Sequence, residues 1–444
     1  MNKELKDLYL KFEEKYFYQK EYLSSINQFL NSISNYYETL EDNNKLSIIE
    51  SLLIPDRIIT FKVPWTDDLG NKRVNIGYRV QHNNAIGVYK GGTRFVKDLN
   101  ESVLKFLAFE QTFKNALTNL PLGGAKGGSD FNPLNKSDLE KKRFSQSYMI
   151  ELHKYIGPNI DVPAGDLGVT YKNIAHMYGI YKRITNFHDA SFTSKHISYG
   201  GSLLRPESTG YGISYITEKA YKLYNDESLE NKTVVISGSG QVGINTAYKM
   251  RELNAKLIAM SSIYGVIYDE NGIDVELVDK LNRENKNIKE YLKKHKGAKY
   301  FKDTKEIWNI KCDIAIPCAT QYELDINDAT KLVNNKVKLI VEGSNKPSTN
   351  EAIKYFYDNK IVLVPSKVAN AGGVIVSNLE MEQNQTFKKW DSLTVDNKLK
   401  EIMYTTFNNL YQKSLKLEDK YNLEKAANIL AFKYLYDAIK LQDL

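Results

Sequence analysis

Residues 232–259 constrain the fold of this chain more than any other stretch. They read as a short β-branched strand at 233–237, a glycine-rich turn at 238–243 (GSGQVG), a helix to about Asn254 and a second strand at 257–260. Strand, glycines, helix and strand in this order form one βαβ unit, which predicts a parallel α/β sheet. A glycine-rich turn that binds no ligand is the alternative interpretation.

The glycine-rich turn has the spacing found in dinucleotide-binding folds. Its glycines allow a tight turn and a close approach of the backbone to a pyrophosphate, whose charge lies at the N-terminus of the following helix. We therefore expect this turn to supply six cofactor-binding residues: Gly238, Ser239, Gly240, Gln241, Val242 and Gly243.

The end of the second strand bears on the choice between NAD and NADP. NAD-binding units commonly place an acidic residue here, against the adenosine ribose. This chain has Ser261 and Ser262 instead, and no carboxylate before Asp269. Two hydroxyls without a negative charge can tolerate a 2′-phosphate. We therefore place both serines at the cofactor, and the sequence favours NADP slightly over NAD.

Helices and strands continue to alternate downstream. Three more β-like runs are found at 313–317, 337–341 and 361–364. Doubly wound sheets bind ligands at the carboxyl ends of their strands. Small or polar residues follow the first two of these runs, which makes Ala319, Thr320 and Asn345 candidate cofactor residues.

The N-terminal half is predicted to be a second α/β domain. Apolar residues have helical spacing in residues 1–53, and two β-like runs, 57–65 and 73–80, are joined by a plausible hairpin turn. In the second run Val74, Ile76, Tyr78 and Val80 alternate with Arg73, Asn75 and Arg79, a pattern that predicts a half-buried strand.

Length and turn signals give the domain boundaries. A chain of 444 residues is long enough for two domains of ~200 residues, and residues 199–212 are rich in turn formers. We expect residues 1–200 to form a domain for substrate binding and oligomerisation, and residues 201–424 to form the dinucleotide-binding domain. A C-terminal helix at about 425–444 is expected to pack back on the first domain.

Three lysines in the N-terminal half have unusual surroundings. Lys114 lies on a predicted helix, on the same side as Gln111, whereas Lys126 lies in what we predict to be a glycine-rich loop and Lys90 is followed by two glycines. Lysines among glycines, where the backbone approaches closely, indicate cations directed at a ligand. We infer a site for a small substrate with several negative charges.

Composition excludes several other classes of protein. The net charge of +7 is spread along the chain with no basic block interleaved with aromatic residues, which argues against nucleic-acid binding. The two cysteines and six histidines show no ligand spacing, so no metal is expected. No signal peptide or membrane span is recognised. We predict a cytoplasmic protein without a membrane partner.

Five sequence blocks together resemble one family. They are GYRVQHNNAIGVYKGGTRF, FLAFEQTFKNALTNLPLGGAKGGSDF, IGPNIDVPAGDLGV, GGSLLRPESTGYG and PSKVANAGGVIVSNLEM. In order and spacing they resemble the hexameric glutamate dehydrogenases of the bacterial and lower-eukaryote type, within the glutamate, leucine, phenylalanine and valine dehydrogenase superfamily. The resemblance implies an N-terminal α/β substrate domain and a Rossmann-type, doubly wound dinucleotide-binding domain with a cleft between them. It also implies a homohexamer and the substrates glutamate, 2-oxoglutarate and ammonia, with NAD or NADP.

The resemblance also assigns roles to residues. Lys126 matches the catalytic lysine and Asp166 the catalytic acid/base. Lys90 and Ser377 match the groups that bind the side-chain carboxylate, and Gln111 and Lys114 those at the α-carboxylate. Further matches are Gly91, Ala164 and Val374 at the substrate and Thr209, Gln241, Asn345 and Asn370 near the nicotinamide half of the cofactor.

Two alternatives stay open at this point. A relative acting on leucine, valine or phenylalanine would have an apolar residue in place of Lys90, since an unpaired lysine facing an aliphatic side chain costs several kcal/mol. A non-catalytic nucleotide-binding protein would have lost Lys126 or Asp166. The presence of all three residues favours glutamate dehydrogenase.

Overall fold

The structure is a computed structural model that describes residues 1–443, and it divides into two compact units. The first unit consists of residues 1–203, 377–391 and 428–444, and the second of residues 204–376 and 392–427. No helix among the described residues is long and apolar enough to cross a membrane.

The first unit contains an α/β arrangement around one sheet. Its elements in chain order are α1 (Lys3–Tyr16), α2 (Lys20–Glu38), α3 (Lys45–Leu53), β1 (Arg57–Thr66), β2 (Lys72–Asn83), β3 (Tyr89–Phe95), α4 (Glu101–Leu117), β4 (Gly124–Ser129), α5 (Asp138–Leu152), β5 (Asp161–Gly165) and α6 (Tyr171–Thr185). A capping box starts α5: the hydroxyl of Ser137 accepts the Glu140 N–H, and the Glu140 carboxylate accepts the Ser137 N–H.

The five strands of this sheet have the order β1-β2-β4-β3-β5. β1, β2 and β4 pair antiparallel, whereas β4, β3 and β5 run parallel, so the carboxyl ends of these last three strands meet at one edge. One face packs aromatic residues of α5 and α6, including Phe144, Tyr148 and Tyr178, into a core cluster.

Lys126 lies on a strand, so the prediction of a glycine-rich loop around it was wrong. It is part of β4, between β2 and β3 in the sheet. The glycines of β4 are needed for packing, because a Cβ at Gly124 would collide with Thr112 of α4 and one at Gly128 with the carbonyl of Arg94. A strand in which three of six residues are glycine lacks the alternating pattern that identifies strands in a sequence.

At the start of β2 the alternating apolar residues do not lie in the core. Val74 and Ile76 are 63% and 42% exposed, while Arg79 is fully buried. Hydrogen bonds of Asn75 fix the orientation of this part of β2: its side chain accepts from the indole of Trp65 at 2.8 Å and donates to Asp130 at 2.9 Å. Asn75 is therefore half-buried between its two hydrogen-bonding partners, whereas its apolar neighbours are exposed.

The second unit is a doubly wound α/β fold. Its elements are α7 (Ser208–Asn225), β6 (Thr233–Ser237), α8 (Gln241–Glu252), β7 (Lys256–Ser262), β8 (Gly265–Tyr268), α9 (Val275–Arg283), β9 (Lys299–Phe301), β10 (Ile314–Pro317), α10 (Ile326–Asn334), β11 (Leu339–Val341), α11 (Asn350–Asp358), β12 (Val362–Val364) and α12 (Ser366–Ala369), followed by α13 (Gly372–Gln385), α14 (Ser392–Ser414) and α15 (Leu423–Gln442), of which α13 and α15 continue into the first unit.

Its seven strands have the order β12-β11-β10-β6-β7-β8-β9. The first five are parallel, and β8 and β9 extend the sheet as an antiparallel edge. The chain winds outward from β6 in one direction to β7 and in the other to β10, so the strand order reverses between β6 and β10. The predicted fold class, two α/β domains of which one is doubly wound, is confirmed.

Residues 377–391 belong to the first unit, although the sequence placed them within the dinucleotide-binding range. A buried ion pair explains this position: Lys195 Nζ lies 3.2 Å from Glu380 Oε1, and both side chains are fully buried. Glu380 also accepts the main-chain N–H groups of Ser194 and Lys195 at 3.1 and 3.2 Å. The carboxylate therefore fixes the second half of α13 on the first unit.

Candidate active site

Lys126 and Asp166, which the resemblance named as catalytic, form an ion pair. Lys126 Nζ lies 3.0 Å from Asp166 Oδ2. Lys126 is 8% exposed in the middle of β4, and Asp166 follows the last residue of β5. Since β4, β3 and β5 are parallel neighbours, the fold itself brings this amine and this carboxylate to one edge of the sheet.

A third charged group completes this cluster. Arg94 Nε lies 3.1 Å from the same Asp166 oxygen, and the side chains of Arg94 and Asp166 are 20% and 23% exposed. Burial alone would raise the pKa of Asp166, but the neighbouring charges of Lys126 and Arg94 outweigh it and lower the pKa to about 2. Asp166 is therefore ionised at neutral pH and can accept a proton.

Lys90 lies one strand away, near the start of β3. It is 2% exposed and is paired in register with Val162 of β5. The strand around it is closely packed, because a Cβ on Gly91 would overlap the carbonyl of Ala125 on β4. Gly91 and Ala164, also predicted at the substrate, thus lie on neighbouring strands between Lys90 and Asp166.

A second buried ion pair supports β3 from below. Arg79 and Asp161 are both fully buried and form a bidentate ion pair, in which Arg79 Nε lies 2.8 Å from Asp161 Oδ2. Arg79 also donates to the carbonyl of Gly91 at 3.1 Å. The charges therefore hold the backbone next to Lys90 against β5, which carries Asp161 at its first position.

Gln111 and Lys114 lie in the last two turns of α4, where both are half-buried. Gln111 donates to Asn115 Oδ1 at 2.7 Å. Asn115 in turn donates to the carbonyl of Gly123 at 2.6 Å and to that of Lys90 at 3.3 Å. Asn115 thus connects the helix of Gln111 and Lys114 to the strands that carry Lys90 and Lys126.

Ser377 and Val374 lie on α13. Ser377 is 2% exposed and precedes the anchoring residue Glu380 by one helical turn. Ser377 belongs to the first unit, as Lys90 does, whereas Val374 belongs to the second. Gly373, beside Val374, lies close to the N-terminus of α7, since a Cβ there would be 3.0 Å from Thr209 Oγ1.

The glycine-rich turn of the second unit has the geometry required for a dinucleotide. Gly238 has a φ of +77°, and a Cβ at Gly243 would overlap the Gly238 carbonyl, so both positions require glycine. A Cβ at Gly240 would meet no atom within 4 Å, which leaves the backbone at the start of α8 open to a ligand. An open helix N-terminus next to a tight glycine turn fits a pyrophosphate.

Other residues predicted at this turn have internal partners. Ser261 is 4% exposed, and its Oγ accepts the Gly238 N–H at 2.9 Å, which supports the turn from below. Ser262 is half-buried, and its Oγ accepts the N–H of Tyr264 at 3.1 Å. Ser239 bonds Asn282 of α9 at 3.1 Å, and the Gln241 amide donates to the carbonyl of Pro206 at 3.0 Å. Val242 lies in the first turn of α8.

The remaining cofactor candidates lie at the carboxyl edge of the same sheet. Ala319 and Thr320 follow β10, and their main-chain N–H groups donate to Glu323 at 2.9 and 3.3 Å. A Cβ at Gly238 would touch Ala319, so the turn after β6 adjoins the loop after β10. This is the point where the strand order reverses, the usual ligand position in such sheets.

Asn345 and Asn370 follow β11 and β12 and bond each other. Asn370 Nδ2 donates to Asn345 Oδ1 at 2.9 Å. Asn345 is exposed and Asn370 is 7% exposed, so one of the two carboxamides reaches solvent while the other supports it.

Sequence reasoning missed Arg94, Asn115 and the Arg79–Asp161 pair. Arg94 had a detectable signal, since Lys90, Gly92 and Arg94 alternate along one face of β3. Arg79 and Asp161 gave none, because a buried ion pair between residues 82 positions apart has no local pattern. Asn115 was hidden within the wide apolar pattern of α4.

The comparisons with known proteins agree with this geometry. The family model for the Glutamate/Leucine/Phenylalanine/Valine dehydrogenase matches residues 200–443, and the Glu/Leu/Phe/Val dehydrogenase, dimerisation domain, matches residues 55–183. The chain belongs to the Glu/Leu/Phe/Val dehydrogenase family. Its two matched segments include every predicted site residue, from Lys90 to Ser377.

Individual relatives within this family cover nearly the whole chain. An NAD(P)-specific glutamate dehydrogenase of Xylanibacter ruminicola is 46% identical over 96% of each chain, and an NAD-specific glutamate dehydrogenase of Clostridium symbiosum is 43% identical over 97% of each. The crystal structure of Plasmodium falciparum glutamate dehydrogenase superposes with a TM-score of 0.94 at 43% identity, covering 99% of this chain and 94% of that one. The chain is thus an NAD- or NADP-dependent oxidoreductase of this family.

Proposed function

We propose that this protein is a glutamate dehydrogenase that interconverts L-glutamate with 2-oxoglutarate and ammonia. The observation that carries this proposal is the cluster of Lys126, Asp166 and Arg94, together with the buried Lys90 on the same strand as Arg94. The nearly full-length similarity to glutamate dehydrogenases supports the same conclusion.

The first unit provides the groups that select the substrate. Glutamate carries two carboxylates, and charge-assisted hydrogen bonds from two separate cations bind them in a fixed orientation. We assign Lys90 and Ser377 to the side-chain carboxylate and Gln111 and Lys114 to the α-carboxylate. Lys90 is 2% exposed and has little access to water, so an aliphatic substrate side chain opposite it would offer this charge no hydrogen-bond acceptor.

The Lys126–Asp166 pair handles the protons of the reaction. Asp166 is ionised, so it accepts a proton from the water that attacks the imino acid, and it returns that proton to the departing amine. Lys126 Nζ lies 3.0 Å from Asp166 Oδ2. This amine also stabilises the negative charge that develops on the substrate oxygen. Arg94, whose Nε lies 3.1 Å from Oδ2, also holds the carboxylate in place.

The second unit provides the cofactor site. The turn at Gly238–Gly243 and the start of α8 would hold the pyrophosphate, and Thr209, Gln241, Asn345 and Asn370 would hold the nicotinamide half. When bound, the cofactor accepts or donates the hydride at the α-carbon, and the protein supplies alignment and charge.

We propose a slight preference for NADP over NAD. β7 ends in Ser261 and Ser262 without an acidic residue to repel a 2′-phosphate. Of these two hydroxyls, that of Ser262 is the more accessible, since Ser261 is 4% exposed and supports the glycine turn. A steric or charge penalty against NAD is not built into this strand end, so the preference is small.

We further propose a homohexameric, cytoplasmic enzyme. The family model that matches residues 55–183 describes a dimerisation domain, which supports oligomerisation through the first unit. The N-terminal helices and the edge strand β1 are the surfaces we assign to contacts between copies.

A steady-state assay tests the proposed function. Oxidation of NADPH, and then of NADH, is followed in the presence of 2-oxoglutarate and ammonia, and glutamate, leucine, valine and phenylalanine are compared in the reverse direction. We expect turnover with 2-oxoglutarate and glutamate, and kcat/KM at least ~100-fold lower for the apolar amino acids. A preference for an apolar amino acid would overturn the substrate assignment, and no turnover with any of them would overturn the enzyme.

A further inference from the structure

Glu342 is a buried carboxyl group that the mechanism above does not use. It directly follows the last residue of β11 and is 3% exposed. Its Oε2 accepts the main-chain N–H of Ser366, the first residue of α12, at 3.0 Å. Its own N–H donates to the carbonyl of Val364 at 3.1 Å. Glu342 therefore joins the carboxyl ends of two neighbouring parallel strands, β11 and β12.

The two loops that Glu342 joins carry Asn345 and Asn370. Asn345 lies three residues after Glu342, and Asn370 directly follows α12, the helix whose first N–H the carboxyl binds. Their carboxamides bond each other at 2.9 Å, and Ser366 Oγ accepts the Lys346 N–H at 3.4 Å. The geometry of the asparagine pair thus depends on the bond between Glu342 and Ser366.

The surroundings of Glu342 make its charge sensitive to pH. Oε1 has no hydrogen-bond partner among residues 1–443. The ionisable groups near it are Tyr357 on α11 and Glu424 on α15, and Glu424 in turn lies 2.8 Å from Lys367 of α12. Burial raises the pKa of Glu342 to about 7, with a further contribution from the negative charge of Glu424, against the opposing effect of the nearby Ser348 and of the hydrogen bond from Ser366.

We propose that Glu342 is a positioning residue for the Asn345–Asn370 pair, and that it holds the pair for cofactor binding when ionised and releases it when protonated. A charged acceptor binds an N–H about twice as strongly as a neutral one. Gain of a proton therefore weakens the bond to Ser366 and loosens the start of α12. This inference rests on the proposed function, because it takes the asparagine pair to lie at the cofactor.

The experiment measures the dissociation constant of NADH by the fluorescence of its reduced nicotinamide from pH 6 to pH 8.5. NADH is chosen as the probe because the 2′-phosphate of NADPH has its own pKa near 6. For the unaltered protein we expect the dissociation constant to rise about three- to tenfold as pH falls through about 7, the difference between a charged and a neutral hydrogen bond.

Two variants separate positioning from a merely structural role. Glu342→Gln keeps the shape and an acceptor oxygen but cannot ionise, so its dissociation constant should be independent of pH and equal to the acidic limit. Glu424→Gln removes a negative charge that faces Glu342, so the pH dependence should persist with its midpoint at lower pH. Circular dichroism at each pH confirms that the variants are folded.

The outcomes are decisive for the proposal. A pH-independent dissociation constant in the unaltered protein, an unchanged pH dependence in Glu342→Gln, or an unchanged midpoint in Glu424→Gln would each overturn it. The titration needs no turnover, so it is independent of the activity assay. Inactivity toward glutamate with the expected titration curves would refute the proposed function alone.

Discussion

Replacement of Arg94 by glutamine should shift the pH dependence of catalysis. Two cations contact Asp166 Oδ2, Lys126 at 3.0 Å and Arg94 at 3.1 Å, and together they lower its pKa to about 2 against the effect of burial. Arg94→Gln removes one of them and keeps a side chain that can donate a hydrogen bond.

The magnitude follows from the charge and its exposure. At ~4 Å between charge centres and an effective dielectric constant of ~20, one unit charge contributes about 4 kcal/mol, or about 3 pKa units. Both side chains are about one-fifth exposed, which screens the interaction, and an aspartate beside an arginine typically shows a pKa lowered by about 1–3 units. Asp166 in Arg94→Gln should therefore have a pKa of about 3–5.

The measurement is kcat/KM for glutamate from pH 4 to pH 9. In the unaltered enzyme the Asp166 pKa of about 2 places its acidic limb below this range. Because Asp166 acts in its ionised form, a pKa raised by about 1–3 units brings the limb up toward pH 5, so that kcat/KM falls at the acidic end of the profile. Arg94→Lys retains the charge and serves as the matched control, with a limb close to that of the unaltered enzyme. If the Arg94→Gln profile superimposes on the original, Arg94 does not control the ionisation of Asp166 and the reasoning fails.

Three further predictions concern single residues. Lys126→Ala should fold and bind cofactor but turn over glutamate at least ~100-fold more slowly, and near-normal kcat would refute its role. Glu380→Ala leaves Lys195 buried without its counter-ion, so thermal unfolding should show that the free energy of unfolding falls by about 3–5 kcal/mol. Replacement of the exposed Glu382 by alanine should change it very little, and equal losses in the two variants would contradict the anchoring role of Glu380. The folded-state pKa of Glu342 is raised above that of the unfolded chain, so its stabilising contribution is present below pH ~4.5 and is lost as pH rises through about 7. Glu342→Gln should therefore gain up to about 3 kcal/mol relative to the unaltered protein at pH 8.5, and an equal difference at pH 5 would argue against this titration.

Much of the second unit could be predicted because its signals are local. Strand β6 and the glycine turn lie in one continuous stretch, and the limits of β6 agree with the sequence prediction at 233–237. The change from β-branched residues to glycines and then to a helical pattern identifies such a βαβ unit in the sequence. The sequence could not reveal that Ser261 supports the turn from below, since this depends on how β7 pairs with β6.

The first unit was harder because its charged residues lie inside it. The rule that apolar side chains face the core fails at β2, where Arg79 is buried and Val74 is exposed. Burial of Arg79 is favourable only with Asp161 in place, and that partner comes from a distant strand. Lys126 was placed in a loop because glycines usually indicate turns, whereas β4 uses them to pack closely against α4.

The most direct test of the central claim is the substrate preference of Lys90→Leu. A charge-assisted contact to the side-chain carboxylate is worth about 2–4 kcal/mol once the loss of the partner is included, so kcat/KM for glutamate should fall about 30- to 1000-fold. In the same variant kcat/KM for norvaline, which has an apolar side chain, should rise, while Lys72→Leu at the exposed start of β2 should change neither value. An unchanged ratio of glutamate to norvaline in Lys90→Leu would contradict the conclusion that this lysine makes the enzyme a glutamate dehydrogenase.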